Sequence, residues 1–141
     1  MEFEYQTLNF PADYDGPVVA TLIKAPLPER DTRRAVLYVH GYIDYFFQTH
    51  MAEEFVAHGY RFYAVELRKY GRSLLEGQHP DFARSMYEYY PDLTESIRRI
   101  LAEGATEVIL LGHSTGGLLA ALYADDGPAE QRKAIARVVL N

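Results

Sequence analysis

Ser114 lies in a segment that combines a nucleophilic side chain with the glycine spacing of a tight turn, Gly112-His113-Ser114-Thr115-Gly116. The apolar run 108–111 before it predicts a buried strand, and the apolar run 116–124 after it predicts a fully buried helix. A G-x-S-x-G segment between a strand and a helix is the setting in which a serine hydroxyl serves as a nucleophile. Gly112 and Gly116 fit this setting because chain segments nearly touch at such a turn. Ser114 is therefore a predicted nucleophile, and the plainer alternative is a glycine-rich turn without chemistry.

A second segment, His40-Gly41-Tyr42, directly follows the β-branched and aromatic run 35–39, which predicts another buried strand. In a parallel sheet this loop lies beside the turn that carries Ser114. The backbone N–H groups of Tyr42 and Thr115 are then candidates for an oxyanion hole, with Thr115 at the N-terminus of the predicted helix. Taken alone, Gly41 indicates only a turn.

A serine nucleophile needs a base, and the base needs a carboxylate to orient it. The residues after Ser114 include three acids and no histidine, and the acids come at the end of the predicted helix and just beyond it. His113 is a poor base because side chains of adjacent residues diverge at a sharp turn, and His40 is predicted to be a packed core residue. We expect neither the triad acid nor the triad histidine within these 141 residues. No metal-ligand spacing or phosphate-binding loop is present, so we expect no metal and no cofactor.

The elements that would position these residues alternate between strands and helices. Runs 3–10 and 18–25 predict an antiparallel hairpin, and further strands are predicted at 35–39, 61–66, 108–111 and 137–140. Helices are predicted from Phe47 to the stop at Gly59, from an N-cap at Asp92 to Gly104, and over 116–124 and 128–134. The pattern indicates an α/β fold with a mostly parallel sheet and helices on both faces. We expect residues 1–141 to form a single domain.

Three blocks of this sequence resemble the α/β-hydrolase family, and within it the branch of lysophospholipases, monoacylglycerol lipases and serine aminopeptidases. Val39-His40-Gly41-Tyr42 is similar to the oxyanion loop of that branch, and Gly112–Gly117 is similar to its GHSMGG turn. Glu66–Ser73 resembles its D-x-R-G-H-G-R-S block. The resemblance extends from about residue 8 to the end of the chain, in the family's order and spacing.

This resemblance implies that Ser114 is the nucleophile and that the N–H groups of Tyr42 and Thr115 form the oxyanion hole. It also implies that the triad acid and histidine follow later strands, so the chain is expected to be the N-terminal portion of such a fold. Ile43 and Asp44 depart from the small residues usual in the oxyanion loop, and Glu66, Lys69 and Tyr70 depart from the second block. The departures at Lys69 and Tyr70 concern the packing of this loop and the substrate preference, and not the fold.

Composition limits the compartment and the partners. The net charge of −6 argues against nucleic acid and anionic membranes as partners, and no apolar run approaches the roughly 20 residues of a membrane span. The absence of cysteine and the acidic N-terminus, which does not resemble a secretory signal, favour the cytoplasm. The strand at 137–140 would be an open sheet edge without a blunting proline, so self-association through this edge is expected.

Three functions follow from these residues. The first is hydrolysis of a carboxylic ester, lipid-like or a small acyl ester, through Ser114 and a backbone oxyanion hole. The second is peptide or C–C bond hydrolysis on the same scaffold. The third is a non-catalytic half-domain that serves in assembly. By itself this chain is expected to be inactive.

Overall fold

A six-stranded sheet organises the chain, of which the computed structural model describes residues 1–141. The strands are β1 (Glu4–Asp13), β2 (Gly16–Lys24), β3 (Arg34–Val39), β4 (Arg61–Glu66), β5 (Glu107–Gly112) and β6 (Ile135–Leu140). The helices are α1 (Thr49–Ala57), α2 (Tyr90–Ala102), α3 (Thr115–Asp126) and α4 (Ala129–Ala134), with 3-10 turns at Gly71–Ser73 and Met86–Tyr89.

The strand order is β1-β2-β4-β3-β5-β6. β1 pairs antiparallel with β2, and β2 pairs antiparallel with β4, whereas β4, β3, β5 and β6 are parallel neighbours. The predicted α/β architecture with an N-terminal antiparallel hairpin is confirmed. Because the four parallel strands point the same way, their carboxyl ends, at Val39, Glu66, Gly112 and Leu140, lie at one edge of the sheet, and the loops after β3, β4 and β5 meet there.

Both faces of the central strands are covered, which explains the unbroken apolar runs in β3 and β5. On one face Leu37, Val39 and Leu110 pack with Ile97 of α2 and Leu119 of α3 in a cluster of 20 buried residues. On the other face a smaller cluster of nine buried residues joins β3 and β4 to α1. Alternate side chains of one strand thus serve two separate cores.

Two predicted helix starts are wrong. Asp92 is not an N-cap: it is fully buried inside α2, and the capping box is formed by Ser85, the N-cap of the 3-10 turn, and Glu88 within that turn. Asp92 instead accepts hydrogen bonds from Arg68, a partner 24 residues away that a local pattern does not reveal. Phe47 precedes α1, where its ring contacts Tyr45 at a centroid distance of 5.3 Å and stays exposed.

The prediction that α3 is fully buried is also wrong. Leu119, Ala120 and Tyr123 lie in the core, but Leu118 on the opposite side is 54% exposed. An apolar pattern on all sides of a helix therefore overstates its burial here. None of the four helices is long and apolar enough to cross a membrane.

β6 forms an edge of the sheet, with Val139 and Leu140 exposed. Its outer N–H and C=O groups have no neighbouring strand, and such an edge is a template for pairing with another chain. For the 141-residue chain we predict self-association through residues 137–140 at tens of micromolar, giving a mass above that of the 16.1 kDa monomer in light scattering after size exclusion.

The variant Val139→Lys places a charge in this edge and is expected to restore the monomer. The control Leu27→Lys makes the same kind of change at an exposed loop residue away from the sheet edge, and its mass is expected to equal that of the parent protein. A parent protein that elutes as a monomer would contradict this prediction.

Candidate active site

Ser114 occupies the turn between β5, which ends at Gly112, and α3, which begins at Thr115. Its backbone has φ 55° and ψ −120°, a sparsely populated conformation that costs on the order of 1–3 kcal/mol and persists only where the surroundings impose it. Its hydroxyl makes no capping hydrogen bond to α3, and the residue is exposed. The side chain is therefore presented to solvent at the carboxyl edge of the sheet.

Two glycines allow the backbone to form this turn. A Cβ added to Gly116 would lie 2.3 Å from the carbonyl oxygens of Val39 and His40, and one added to Gly112 would lie 2.5 Å from Gly116 O. No side chain fits at such distances. The ends of β3 and β5 and the start of α3 therefore meet through bare backbone.

The loop after β3 lies directly against Ser114. A Cβ added to Gly41 would be 3.3 Å from Ser114 Cβ. The Gly41 N–H donates to Asp44 Oδ2 at 3.1 Å, and the Tyr45 N–H donates to Asp44 Oδ1 at 2.8 Å. Asp44 thus folds the loop back on itself, and Ile43 at its tip takes a left-handed backbone with φ 49°, which is strained for a β-branched residue.

Two backbone N–H groups near Ser114 remain unused by the chain. The Tyr42 N–H donates no hydrogen bond, whereas its neighbour Gly41 is engaged by Asp44. Thr115 is the first residue of α3, so its N–H has no intrahelical acceptor and lies at the positive end of the helix dipole. Tyr42 and Thr115 line the same cavity of about 340 Å³.

His40 is fixed in one tautomer beneath this loop. The Leu67 N–H donates to Nε2 at 3.0 Å, so Nδ1 carries the proton and donates to Gly41 O at 2.9 Å. Burial lowers the pKa of His40, which keeps the ring neutral. His40 therefore joins the loops after β3 and β4, in agreement with the prediction of a packed core residue.

Glu66 is a positioning residue whose role the sequence did not reveal. The side chain is fully buried, and its oxygens accept hydrogen bonds from the Phe46 N–H at 3.0 Å and the Arg72 N–H at 3.0 Å. The Arg72 guanidinium supplies the opposite charge at 2.6 Å. One carboxylate thus ties the loop after β3 to the loop after β4. In the sequence, this role of Glu66 is indicated only by the position of an acid at the end of an apolar strand.

The loop after β4 is held by two further buried charges. Arg68 binds Asp92 of α2 through its backbone N–H at 2.8 Å and its guanidinium at 2.8 Å. Burial raises the pKa of Asp92 to about 6, and Arg68 opposes this shift. Lys69 has a left-handed backbone with φ 69°, and none of its side chain is exposed. Its ammonium lies 2.8 Å from Oδ2 of Asp13, the last residue of β1, and 3.3 Å from Oδ2 of Asp15 in the β1–β2 turn.

The Ser114 hydroxyl makes no hydrogen bond to a histidine or a carboxylate. His58 and His79 hydrogen-bond to Glu54 O and Asp15, and His40 is committed to the loops. Asp126 accepts from the hydroxyls of Tyr87 and Tyr90 at the far end of α3. Of the predicted site, the structure brings together Ser114, Tyr42, Thr115 and their glycines.

A mostly parallel sheet covered on both faces, with a serine on the turn between a central strand and the following helix, defines the α/β-hydrolase class. The chain belongs to the family described as serine aminopeptidase S33, whose sequence model matches residues 30–140. A comparison with curated protein sequences finds no match.

Solved structures share this fold. A soluble variant of monoglyceride lipase from Saccharomyces cerevisiae has a TM-score of 0.77 and 23% identity over 99% of this chain and 44% of that chain. A carboxyl esterase from Bacillus coagulans has a TM-score of 0.75 and 21% identity over 96% and 43%. A thioesterase domain from the curacin biosynthetic pathway has a TM-score of 0.74 and 25% identity over 99% and 46%. The chain therefore spans less than half the length of these structures.

Because backbone atoms of β3 and α3 approach closely at this turn, we expect Gly116→Ala to lower the free energy of unfolding strongly. The added methyl group would overlap two carbonyl oxygens of β3 and its following loop, so we expect a loss of about 3 kcal/mol or more in the free energy of unfolding. Gly77→Ala is the matched control: Gly77 has φ 85° and nothing within 4 Å of its added Cβ, so it is expected to cost only about 1–2 kcal/mol. Urea unfolding measures both, and equal costs would contradict the close approach.

We expect removal of the Arg68 charge to lower the free energy of unfolding by an amount that depends on pH. Arg68→Met leaves the Asp92 carboxylate buried without its partner, at a cost of about 3–5 kcal/mol when it is ionised. The pKa of Asp92 then rises further above its unfolded value. Because a raised acid pKa gives stability that is lost as pH increases through it, the deficit should be larger at pH 8 than at pH 5.

The control for this variant is Arg98→Met, which removes an exposed ion pair with Glu95 on the same helix as Asp92. We expect little change in stability at either pH from this substitution. Urea unfolding of both variants at pH 5 and pH 8 is the measurement. A deficit of Arg68→Met that shrinks as pH rises would show that Asp92 does not respond to the loss of its partner.

Proposed function

We propose that this protein is a carboxylic-ester hydrolase in which Ser114 is the nucleophile. The observation that carries the proposal is the backbone of Ser114, at φ 55° and ψ −120° between β5 and α3, with the Gly41–Tyr42 loop against it. A strained conformation on a turn between buried elements exposes one hydroxyl at the edge where the segments after β3, β4 and β5 meet. Membership of a hydrolase family supports the same reaction class.

In this proposal the Ser114 oxygen attacks the ester carbonyl carbon while its proton passes to a base. The carbonyl oxygen becomes an oxyanion and accepts hydrogen bonds from the N–H groups of Tyr42 and Thr115, which the chain leaves free. Collapse of the intermediate expels the alcohol and leaves an acyl-serine, which water then hydrolyses. The base and its orienting acid are not supplied by the groups around Ser114 in this chain.

Asp44 supports the assignment of Tyr42 as donor. Its carboxylate engages the N–H of Gly41, and a carboxylate at that position orients the loop without consuming the next N–H. The helix dipole of α3 adds partial positive charge at Thr115, where the oxyanion would develop. Both donors are backbone groups, so their position depends on the loop and not on a flexible side chain.

Peptide hydrolysis is the second candidate because the family carries the description of a serine aminopeptidase. The same nucleophile and oxyanion hole can act on an amide. Comparison of an acyl p-nitrophenyl ester with an amino-acyl p-nitroanilide distinguishes the two in a preparation that also supplies the base.

For the 141-residue chain by itself we expect hydrolysis of p-nitrophenyl acetate no faster than that of Ser114→Ala, because an unactivated hydroxyl is a weak nucleophile. Labelling with a fluorophosphonate, read by intact mass, tests the nucleophile directly. Slow labelling that Ser114→Ala abolishes supports the proposal. Labelling that persists in Ser114→Ala, or ester turnover lost only on mutation of another residue, would contradict it.

A further inference from the structure

Four large apolar or aromatic side chains are exposed on the loop between β3 and α1. They are Tyr42, Ile43, Tyr45 and Phe47, called here the loop patch, and Ile43 is the most exposed large hydrophobic residue of the chain, at 72%. Single exposed apolar residues are normal on a protein surface, whereas a contiguous group of them marks a site of interaction. The density of the loop patch, four residues among six, therefore indicates a partner outside the chain.

The anchors of this loop keep the loop patch at the surface. Phe46 is buried in the smaller of the two clusters, where its ring lies 5.7 Å from that of Phe62, and its N–H donates to Glu66 at 3.0 Å. Asp44 accepts hydrogen bonds from two backbone N–H groups of the same loop. Because Phe46 and Asp44 are engaged by the protein, the side chains on either side of them are left facing solvent.

Ile43 carries two energetic penalties that packing within the chain does not offset. Its backbone has φ 49°, and this left-handed conformation is unfavourable for a β-branched residue. Its side chain is largely exposed, so it gains little from burial. Backbone outliers of this kind concentrate at functional sites. A contact made by Ile43 on binding would supply the burial that the free protein lacks.

The composition of the loop patch fits the boundary between water and lipid. Tyrosine combines an apolar ring with a hydroxyl and is enriched at that boundary, and Ile43 and Phe47 add side chains that prefer hydrocarbon. Asp44 is the one charged residue among residues 42–47, and its carboxylate is already held by two N–H groups. The loop patch can therefore approach a lipid surface without bringing an unpaired charge to it.

A cation at the edge of the loop patch indicates which lipid it suits. Arg72 lines an open cavity of about 350 Å³ together with Gly71 and Tyr45. Its guanidinium binds Glu66 through Nη1 and lies over the Tyr5 ring at 4.7 Å, which leaves other N–H donors in its plane unused. Such donors suit a phosphate oxygen. Because the net charge of −6 opposes an anionic surface, the phosphate of a zwitterionic lipid is the best match.

We propose that the loop patch docks this protein on the surface of a zwitterionic phospholipid bilayer, with its four side chains in the interface and Arg72 against lipid phosphate. The patch follows β3 at the carboxyl edge of the sheet, and a Cβ added to the preceding Gly41 would lie 3.3 Å from Ser114 Cβ. Docking therefore brings the Ser114 turn close to the lipid. It needs no reaction at Ser114, so it is a property separate from the proposed function.

Flotation with phosphatidylcholine vesicles measures the docking of the 141-residue protein. The parent protein is expected to float with the vesicles, and so is Ser114→Ala. We expect Ile43→Asn to lower the partition coefficient about threefold or more, and Ile43→Asn/Phe47→Ser about tenfold or more, because apolar surface is lost from the interface.

Leu27→Asn is the matched control for flotation. Leu27 is an exposed apolar residue that follows β2, and the end of β2 pairs with the start of β4, at the opposite edge of the sheet from the loop patch. Its partition coefficient is expected to equal that of the parent protein. Equal losses in Leu27→Asn and Ile43→Asn would overturn the proposal, because binding would then not depend on the loop patch.

Ile43→Asn also separates docking from folding. Asparagine adopts the left-handed backbone more readily than isoleucine does, and the position is exposed. We therefore expect the free energy of unfolding in urea to equal or exceed that of the parent protein. Loss of flotation at full stability then reports on docking alone.

A tryptophan probe tests which side chains enter the lipid. The chain has no tryptophan, so Phe47→Trp introduces a single indole, whose emission is expected to shift to shorter wavelength when phosphatidylcholine vesicles are added. The emission of Leu27→Trp is expected not to shift. An unshifted emission in Phe47→Trp overturns the proposal.

Three further results would overturn it. The first is a parent protein that does not float, or a double variant that floats equally well. The second is stronger binding to phosphatidylglycerol than to phosphatidylcholine, which would assign binding to a basic surface elsewhere. The third is a lower mass of self-associated protein in Ile43→Asn with flotation unchanged, which would assign the loop patch to a contact between copies of this chain.

Discussion

The close contact of backbone with backbone at the turn after β5 is the constraint on which the rest of this structure depends. With a Cβ at Gly116 only 2.3 Å from two carbonyl oxygens, β3, β5 and α3 can meet only if that position lacks a side chain. This contact fixes the start of α3 and leaves Thr115 as its first N–H. It also brings the loop after β3 within reach of Ser114. Ser114 and the residues with free N–H groups, Tyr42 and Thr115, thus lie near one another because three elements share one small space.

Buried charge holds the loops around this turn. Glu66 joins the loops after β3 and β4, Arg68 joins the second loop to α2, and Lys69 joins it to the β1–β2 turn. Each of these ions has an oppositely charged partner, which limits the desolvation cost of burial. Such pairs contribute less to stability than apolar contacts would, but they have directional geometry. These ion pairs orient the backbone of the loops, and the proposed oxyanion hole depends on that orientation because it consists of backbone N–H groups.

The topology of the sheet explains which groups lie near Ser114. Ser114, the proposed nucleophile, and Tyr42 and Thr115, the proposed oxyanion donors, lie after β3 and β5, which are adjacent parallel strands. No base is arranged beside them, and the chain spans less than half the length of the structures that share its fold. In the proposed reaction these residues would position and polarise an ester carbonyl, and the proton transfer would require a further group.

The sequence by itself determined the strands, their alternation with helices, and the segments that carry Ser114, Gly41 and Tyr42, because hydrophobic periodicity and glycine spacing are local signals. The predicted start of α2 was wrong because Asp92 binds Arg68, which is distant in sequence, and does not cap the helix. The predicted burial of α3 was wrong because Leu118 is exposed on the side of the helix away from the sheet. Only the tertiary structure decided that Glu66 ties two loops together, and that Asp44 engages the N–H of Gly41 and leaves the Tyr42 N–H free. These are contacts between residues distant in sequence or set by loop conformation, and no pattern within a single segment specifies them.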